Sequence, residues 1–233
     1  MKNLTIVGCT HGDEQIGKYI FDIFAQGQND SWNYKTLIGN PEAMFLNTRF
    51  VETDLNRSFD KQNPTSLEEK RAVLLTKELH KADFVVDIHQ TTAVMEHCAF
   101  IISDILENWE LASYFNVKHV ILANGFGGKN KNLLLENTKF GVAIEYSRTG
   151  NYQKECQIVQ KDIQNLIDKK IVYEQKKYKI IGKLDQKPSK ELVNWQVLDS
   201  KMLTELGLKG EIYPIFIGEK AYGTQYCTLV SLL

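Results

Sequence analysis

The stretch LTIVGCTHGDEQIGKYIFDIF, residues 4–24, contains the change of hydrophobic pattern that decides the fold. Its first six residues form a short apolar run, which is typical of a buried strand, and a Thr-His-Gly loop follows. Over residues 14–24 the apolar side chains recur at helical spacing, at Ile16, Tyr19, Ile20 and Ile23. A buried strand followed at once by an amphipathic helix predicts an α/β layer.

The same alternation of strands and helices continues as far as residue 169. Further strands are predicted at residues 34–38, 84–88, 98–102, 119–122 and 142–146, and helices at 66–81, 106–115 and 152–169. Ser66 and Glu69 have the spacing of a capping box, which supports the start of the first of these helices. Two polar stretches, residues 47–64 and 124–137, are predicted as long loops, and such loops are usually functional or disordered.

The pattern changes after a lysine-rich stretch, residues 169–179, which we interpret as a solvated connector. Strands are predicted at residues 178–184, 192–197 and 212–217, joined by polar turns and without a strong helix. We therefore predict two domains. The first covers residues 1–171, and a small β-rich C-terminal domain covers residues 172–233.

Composition and charge exclude several classes of protein. The 233 residues carry 28 Lys plus Arg against 29 Asp plus Glu, a net charge of -1, so neither nucleic acid nor an anionic membrane is an expected partner. No apolar run approaches the roughly 20 residues of a membrane span, and the N-terminus lacks the pattern of a signal peptide. We expect a cytoplasmic protein whose four cysteines are reduced and mostly buried.

Ionisable side chains follow two of the predicted strands, where open α/β sheets place their ligands. His11 and Glu14 lie three residues apart at a strand–helix junction, and His89 follows the strand at 84–88. Two His and one carboxylate are a ligand set of hydrolytic zinc sites. Each motif alone is weak evidence, but together they favour a metal site. Asp87 shares a strand face with His89 and could support it or a nearby cation.

Several further motifs carry a family resemblance. HGDE (11–14), NPEA (40–43), TRF (48–50), TDLNRSFD (53–60), DIHQTT (87–92), GVAIE (141–145), YPIF (213–216) and EKAY (219–222) closely resemble the aspartoacylase and succinylglutamate desuccinylase family. That family belongs to the zinc carboxypeptidase-like hydrolases. The resemblance implies an α/β three-layer sandwich with a mixed sheet, plus the small β-rich C-terminal part.

The resemblance also implies roles for individual residues. One Zn²⁺ per chain would be bound by His11, Glu14 and His89. Arg49 would polarise the scissile carbonyl and Glu145 would be the general base. Three further residues would contact the substrate. Asn56 and Arg57 would hold one of its carboxylates, and Tyr222 would close over it.

One departure from the family pattern concerns a second substrate carboxylate. Aspartoacylases carry an arginine about ten residues before the catalytic glutamate, whereas this chain has the sequence NKNLLL at residues 130–135. We expect Arg148 to supply the missing cation by binding substrate, with Lys129, Lys131 or Lys139 as alternatives. His80, His97 and His119 match no family motif and are interpreted as ordinary surface or core residues.

These observations predict a zinc-dependent amidohydrolase that cleaves a small N-acyl amino acid. Two alternatives stay open, namely a zinc carboxypeptidase acting on peptides and a catalytically silent binding protein on the same scaffold. The intact Glu145 argues against the silent protein. The sequence leaves open the acyl group, the amino acid, another divalent metal and an assembly of identical chains.

Overall fold

A computed structural model describes residues 1–124, 132–219 and 225–233. The elements of the first half follow the predicted alternation of strands and helices. In chain order they are β1 (Lys2–Gly8), α1 (Ile16–Ile23), β2 (Gln26–Gln28), β3 (Trp32–Ile38), α2 (Pro41–Leu46), α3 (Leu67–Leu79), β4 (Phe84–Thr91), β5 (Cys98–Ile101) and α4 (Leu106–Ser113).

The second half contributes more strands than helices. It contains β6 (His119–Leu122), β7 (Phe140–Ser147), α5 (Tyr152–Asp168), β8 (Lys176–Leu184), α6 (Ser200–Glu205), β9 (Ile212–Ile215) and β10 (Cys227–Leu232). Two single 3-10 turns, Leu55–Arg57 and Leu135–Asn137, lie in the stretches that were predicted as loops.

The strands of the described residues form one mixed sheet in the order β2-β3-β1-β4-β7-β5-β6-β8-β10-β9. The central strands β3, β1, β4 and β7 are parallel, and β5 pairs antiparallel with β7. Parallel strands are buried on both faces, which explains why all eight residues of β4 are buried.

Helices cover both faces of this sheet. On one face the core joins α1, α4 and α5 to β1, β4 and β7, through residues such as Ile16, Leu111 and Ile163. On the other face α3 packs through Ala72, Leu75 and Leu79. The predicted three-layer α/β sandwich with a mixed sheet is therefore confirmed.

Capping side chains determine where several helices begin. Ser66 caps α3 in the predicted capping box with Glu69, and the Asn151 side chain accepts a hydrogen bond from Lys154 N–H at the start of α5. The short helix α2 was not predicted. It begins with Pro41 after Asn40, whose side chain accepts from Ala43 N–H.

The predicted strand at residues 192–197 is wrong. Trp195 has φ 63°, which a strand cannot accommodate, and Leu192 and Leu198 pack into a small core with Met202 and Ile212. Two elements after residue 171 were not predicted. They are α6, capped by Asp199, and β10, which pairs with both β8 and β9.

The sheet continues across the predicted domain boundary, because β8 pairs parallel with β6. The boundary at residues 171 and 172 falls between α5 and β8.

All four cysteines are buried, as the sequence predicted. None of the helices in the described residues has the length and apolar character needed to cross a membrane.

Candidate metal centre and substrate pocket

The loop after β1 is fixed by close backbone packing. A side chain at Gly12 would place its Cβ 2.0 Å from the carbonyl carbon of Ala43, so only glycine allows this loop to lie on α2. Gly12 N–H donates to the Arg49 carbonyl at 3.1 Å, and Glu14 N–H donates to the His11 carbonyl at 3.1 Å. The tight turn brings His11 and Glu14 side by side, with His11 Nδ1 2.7 Å from Glu14 Oε1.

His89 reaches the same carboxylate from β4. Its Nδ1 atom lies 3.0 Å from Glu14 Oε2, and the His11 and His89 rings are 5.0 Å apart between centroids. One ligand atom from each of the three residues lies within 4.8 Å of the other two. All three residues are buried, with 5% or less of their surface exposed. The structure thus brings together the three predicted ligands.

A second carboxylate orients each histidine. His89 Nε2 lies 2.7 Å from Asp87 Oδ2, and His11 Nε2 lies 3.1 Å from Asp54 Oδ1. Carboxylates in this position fix the orientation of imidazoles that ligate a metal, and they increase the basicity of the ligand nitrogen. Asp87 also accepts a hydrogen bond from the Thr10 hydroxyl at 2.7 Å, so it links the β1 loop to β4.

Sequence reasoning anticipated Asp87 but missed Asp54. Asp54 Oδ1 accepts from Asn56 N–H at 2.8 Å and so caps the 3-10 turn Leu55–Arg57. Its other oxygen accepts from Arg49 Nη2 at 3.0 Å. An aspartate before a short turn is a capping signal, but nothing in the sequence indicates that it also contacts His11.

The charged groups of this cluster stabilise one another. Burial alone would raise the pKa of Glu14, but the adjacent His11 and His89 outweigh it and hold the pKa well below its usual range. Burial alone would lower the pKa of both histidines. Asp87 and Glu14 raise the pKa of His89, and Glu14 and Asp54 raise that of His11. The cluster favours charged groups, although it is buried.

The loop that carries Arg49 and Asp54 is anchored to α3 by one carboxylate. Glu68, 1% exposed, accepts hydrogen bonds from Val51 N–H at 2.7 Å and from Thr53 N–H at 3.1 Å. Its Oε1 atom also accepts from the Asn40 side chain at 3.1 Å. Arg49 Nη1 consequently lies 3.8 Å from Glu14 Oε1, at the edge of the candidate metal centre.

A cavity opens beside His89 and contains three of the other predicted site residues. Asn56, Arg57 and Glu145 all line it, and Glu145 on β7 is the register partner of His89 on β4. Burial raises the pKa of Glu145 to about 7; the Glu14 carboxylate adds to this effect, whereas His89 opposes it. Asn56 Oδ1 accepts from Leu134 N–H at 2.8 Å, which fixes the side of the cavity near the 3-10 turns.

The remaining predicted substrate-binding residues do not line the cavity or lie outside the described residues. Arg148 Nη2 donates to the carbonyl of Asp13 at 3.0 Å and to its carboxylate at 3.2 Å, and Arg148 does not line the cavity. Tyr222, Lys129 and Lys131 lie outside the described residues. Lys139 is exposed, with its Nζ atom 5.1 Å from the centre of the Phe140 ring.

The histidines without a family motif lie away from the cluster. His80 is exposed, and His97 accepts from Ser147 N–H at 3.0 Å. His119 is buried and stacked on Trp195 at 3.8 Å between ring centroids.

The contact made by Glu219, the first residue of the EKAY motif, was not predicted from the sequence. Buried Glu219 accepts a hydrogen bond from Thr92 N–H at 2.8 Å and one from the Thr91 hydroxyl. It therefore ties the C-terminal part to the end of β4.

The donor set fits a divalent transition metal. Two imidazole nitrogens and one carboxylate oxygen suit Zn²⁺, and each imidazole has its second nitrogen on a carboxylate. Three protein ligands leave one position for water or substrate in a tetrahedral zinc site. The residues of this chain therefore could hold the metal that the sequence resemblance implies.

The fold and the site together define a class of protein, and comparison with known proteins identifies the family. The α/β sandwich, with its His–Glu–His cluster at the carboxyl ends of parallel strands, is a carboxypeptidase-like fold. The model of the succinylglutamate desuccinylase/aspartoacylase catalytic domain matches residues 1–168. The chain belongs to this family.

Individual relatives support this assignment. A probable aspartoacylase of Acaryochloris marina (strain MBIC 11017) is 36% identical over 127 residues, which cover 49% of this chain and 43% of the relative. A match to a probable aspartoacylase of Trichodesmium erythraeum (strain IMS101) covers 50% of this chain and 44% of the relative, at 35% identity. The matched part of the chain thus spans less than half the length of these curated relatives.

The similarity to solved structures extends over the whole chain. The crystal structure of murine aminoacylase 3 superposes with a TM-score of 0.78 at 20% identity, covering 100% of this chain and 95% of that one. The succinylglutamate desuccinylase from Chromobacterium violaceum gives a TM-score of 0.77 at 16% identity, covering 100% and 85%. At these identities the superpositions establish the fold alone.

Proposed function

We propose that this protein is a zinc-dependent amidohydrolase that cleaves the amide bond of a small N-acyl amino acid. The observation that carries the proposal is the buried His11–Glu14–His89 cluster next to a cavity that contains Glu145 and Arg57. His11, Glu14 and His89 would hold a Zn²⁺ ion, which would supply a Lewis acid and lower the pKa of a water molecule toward about 7.

Glu145 is the proposed general base. It faces the cavity one strand from His89, and its pKa of about 7 suits a group that accepts and returns a proton near neutral pH. Glu145 would take the proton from the attacking water and deliver it to the leaving amine. Membership of the family supports this assignment through the GVAIE segment.

Arg49 is the proposed stabiliser of the oxyanion. Asp54 holds its guanidinium at 3.0 Å, and Glu14 lies 3.8 Å from it, so its charge is positioned at the edge of the candidate metal centre. A fixed positive charge there would meet the negative charge that develops on the carbonyl oxygen in the transition state.

Asn56 and Arg57 are the proposed clamp for the substrate's α-carboxylate. Both line the cavity. Asn56 is fixed through Leu134, whereas Arg57 is an exposed residue whose Nη1 atom donates to the Asn56 carbonyl at 2.6 Å. A planar guanidinium matches the two oxygens of a carboxylate. Tyr222 is proposed to close over the substrate on the basis of the sequence alone. Arg148, which the sequence suggests as a substrate-binding residue, contacts Asp13 and does not line the cavity, so it is not included in the proposed clamp.

The expected partner is a small molecule rather than nucleic acid or a membrane, and the four buried cysteines suit a reducing cytoplasm. A peptide carboxypeptidase would need a similar carboxylate clamp. Offering N-acyl amino acids and dipeptides of the same terminal residue to one preparation separates these two activities.

The test is Glu145→Gln, with Glu174→Gln at an exposed position as the matched control. We expect Glu145→Gln to retain one metal ion per chain and to lower turnover of N-acyl amino acids by about 100-fold to 10,000-fold. Glu174→Gln should leave both unchanged. Near-normal turnover by a folded, metal-loaded Glu145→Gln protein would contradict the proposed mechanism.

A further inference from the structure

We propose that the cavity beside the carboxylate clamp selects substrates whose amino acid has an apolar side chain, aliphatic or aromatic. This inference rests on the proposed function, and it assigns a substrate class to that site. Most of the cavity wall is apolar, and it includes Phe100, Ile102, Ala143, Ile180 and Phe216.

The apolar wall begins next to the proposed base on β7 and continues on β5 and β8. Ala143 precedes Glu145 by two residues on β7, so both side chains lie on one face of the sheet. Phe100 on β5 is the register partner of Ala143. Ile180 on β8 and Phe216 after β9 extend the same surface toward the C-terminal strands.

Charge in the cavity disfavours an acidic side chain. Among the described residues that line it, Arg57 alone is a permanent cation, whereas Asp87 and Glu145 are carboxylic acids. If Arg57 holds the α-carboxylate, a second substrate carboxylate would enter an apolar surface without an opposite charge among these residues. Arg148 and Lys139 do not change this, because Arg148 contacts Asp13 and Lys139 is exposed over Phe140.

The connectivity of the substrate identifies which group fills the cavity. The α-carboxylate and the side chain are bonded to the same carbon, whereas the acyl group lies across the scissile amide. A side chain therefore enters the space that adjoins Asn56 and Arg57, which is the apolar cavity. We accordingly expect side-chain size, and not acyl length, to govern the specificity constant.

The first experiment compares substrates on the metal-loaded wild-type protein. From N-acetylalanine to N-acetylnorvaline to N-acetylnorleucine, kcat/KM should increase about threefold to fourfold per methylene. N-acetylleucine should exceed N-acetylaspartate by at least about tenfold. Lengthening the acyl group of N-acylalanine should change kcat/KM less than lengthening the side chain does. Calorimetry with the metal-free protein should show tighter binding of N-acetylnorleucine than of N-acetylaspartate.

The second experiment adds a cation to the cavity. Ile180→Arg should increase kcat/KM for N-acetylaspartate relative to N-acetylleucine by at least about tenfold. Ile181→Arg is the matched control, because Ile181 points to the opposite face of β8 and is 40% exposed. The ratio should stay unchanged in Ile181→Arg. If Ile180→Arg does not fold, the substrate series on the wild-type protein still decides the proposal.

The outcomes separate this inference from the proposed function. Hydrolysis of N-acetylaspartate in preference to N-acetylleucine would overturn the apolar assignment and leave the deacylase proposal intact. A dependence on acyl length alone would likewise overturn it. Absence of hydrolysis with every N-acyl amino acid, in a protein that holds its metal, would instead overturn the proposed function.

Discussion

The candidate metal centre has two halves that hold equivalent ligands by different means. In the strand half, His89 and its partner Asp87 both lie on β4, two residues apart and fully inside the sheet. In the loop half, His11 and its partner Asp54 come from two loops that are 43 residues apart in the chain. Each histidine still places one nitrogen on Glu14 and the other on a carboxylate.

The comparison shows two ways to position a ligand. The strand half depends on backbone geometry, because alternate residues of a strand share a face. The loop half depends on a chain of hydrogen bonds, from Glu68 to the loop at 51–53 and from Asp54 to Arg49 and His11. Asp87 is 1% exposed and the Asp54 side chain 18% exposed, so the loop half is also closer to solvent.

Removing either histidine should produce the largest effect. We expect His89→Ala and His11→Ala each to weaken metal binding by about 100-fold or more, because two remaining ligands hold a divalent ion poorly. Metal analysis after dialysis and competition with a chelator measure this. His80→Ala is the control at an exposed position. Unchanged metal content in either variant would remove that half from the site.

Replacing the supporting carboxylates should distinguish the two halves. Asp87→Asn and Asp54→Asn should each weaken metal affinity by about 10-fold to 100-fold. At saturating metal Asp87→Asn should recover most of its turnover. Asp54→Asn should retain a further loss of about tenfold, since it also weakens the ion pair at 3.0 Å that positions the Arg49 guanidinium. Equal recovery of both variants would show that Arg49 does not depend on Asp54.

The whole protein should become less stable as the pH rises because of Asp162, which lies on α5 outside both halves of the candidate metal centre. This residue of α5 accepts from the Tyr146 hydroxyl on β7 at 2.9 Å, and burial raises its pKa to about 6. The unfolded value is about 3.9, so its favourable contribution is complete below about pH 4 and is lost as pH rises through about 6. Denaturant unfolding of Asp162→Asn should remove a decrease of about 2–3 kcal/mol between pH 4 and pH 7. An identical pH profile in the variant would contradict this assignment.

The loop half should show the opposite pH dependence through Glu68. Burial alone would raise the pKa of Glu68, but the hydrogen bonds from the loop at 51–53 and from Asn40 outweigh it and lower the pKa. Its contribution is therefore present above the unfolded value and is lost as pH falls through the folded value. Glu68→Gln should destabilise the protein by about 1 kcal/mol at pH 7 and by less in acid. A difference that widens in acid would disprove the assignment.

The contacts that the sequence predicted involve regular strands and short turns, whereas the contacts that it did not predict involve long loops. The alternation of residues on β4 predicted that Asp87 supports His89, and the short HGDE turn predicted that His11 and Glu14 meet. Asp54 could not be predicted as a partner of His11, because the contact depends on the path of a loop without a regular period. The contact of Glu219 with Thr92 could not be predicted for the same reason, since 127 residues separate the two along the chain.

In the C-terminal part, the hydrophobic pattern predicted one strand that does not form. The apolar residues at 192–197 resemble a strand, but Trp195 takes a positive φ and its N–H donates to the Pro214 carbonyl. Tertiary contacts with Met202 and Ile212 therefore decide the conformation, and local preference does not.

The continuity of the sheet across residues 171 and 172 makes the two parts of the chain dependent on each other. Removing the residues after 171 would expose the edge of β6, whose backbone groups now pair with β8, and unpaired edges promote aggregation. It would also remove Ile180 and Phe216 from the cavity wall. A fragment shortened to residues 1–171 should therefore be prone to self-association and should have an altered cavity, so expression units of this protein should retain β8, β9 and β10.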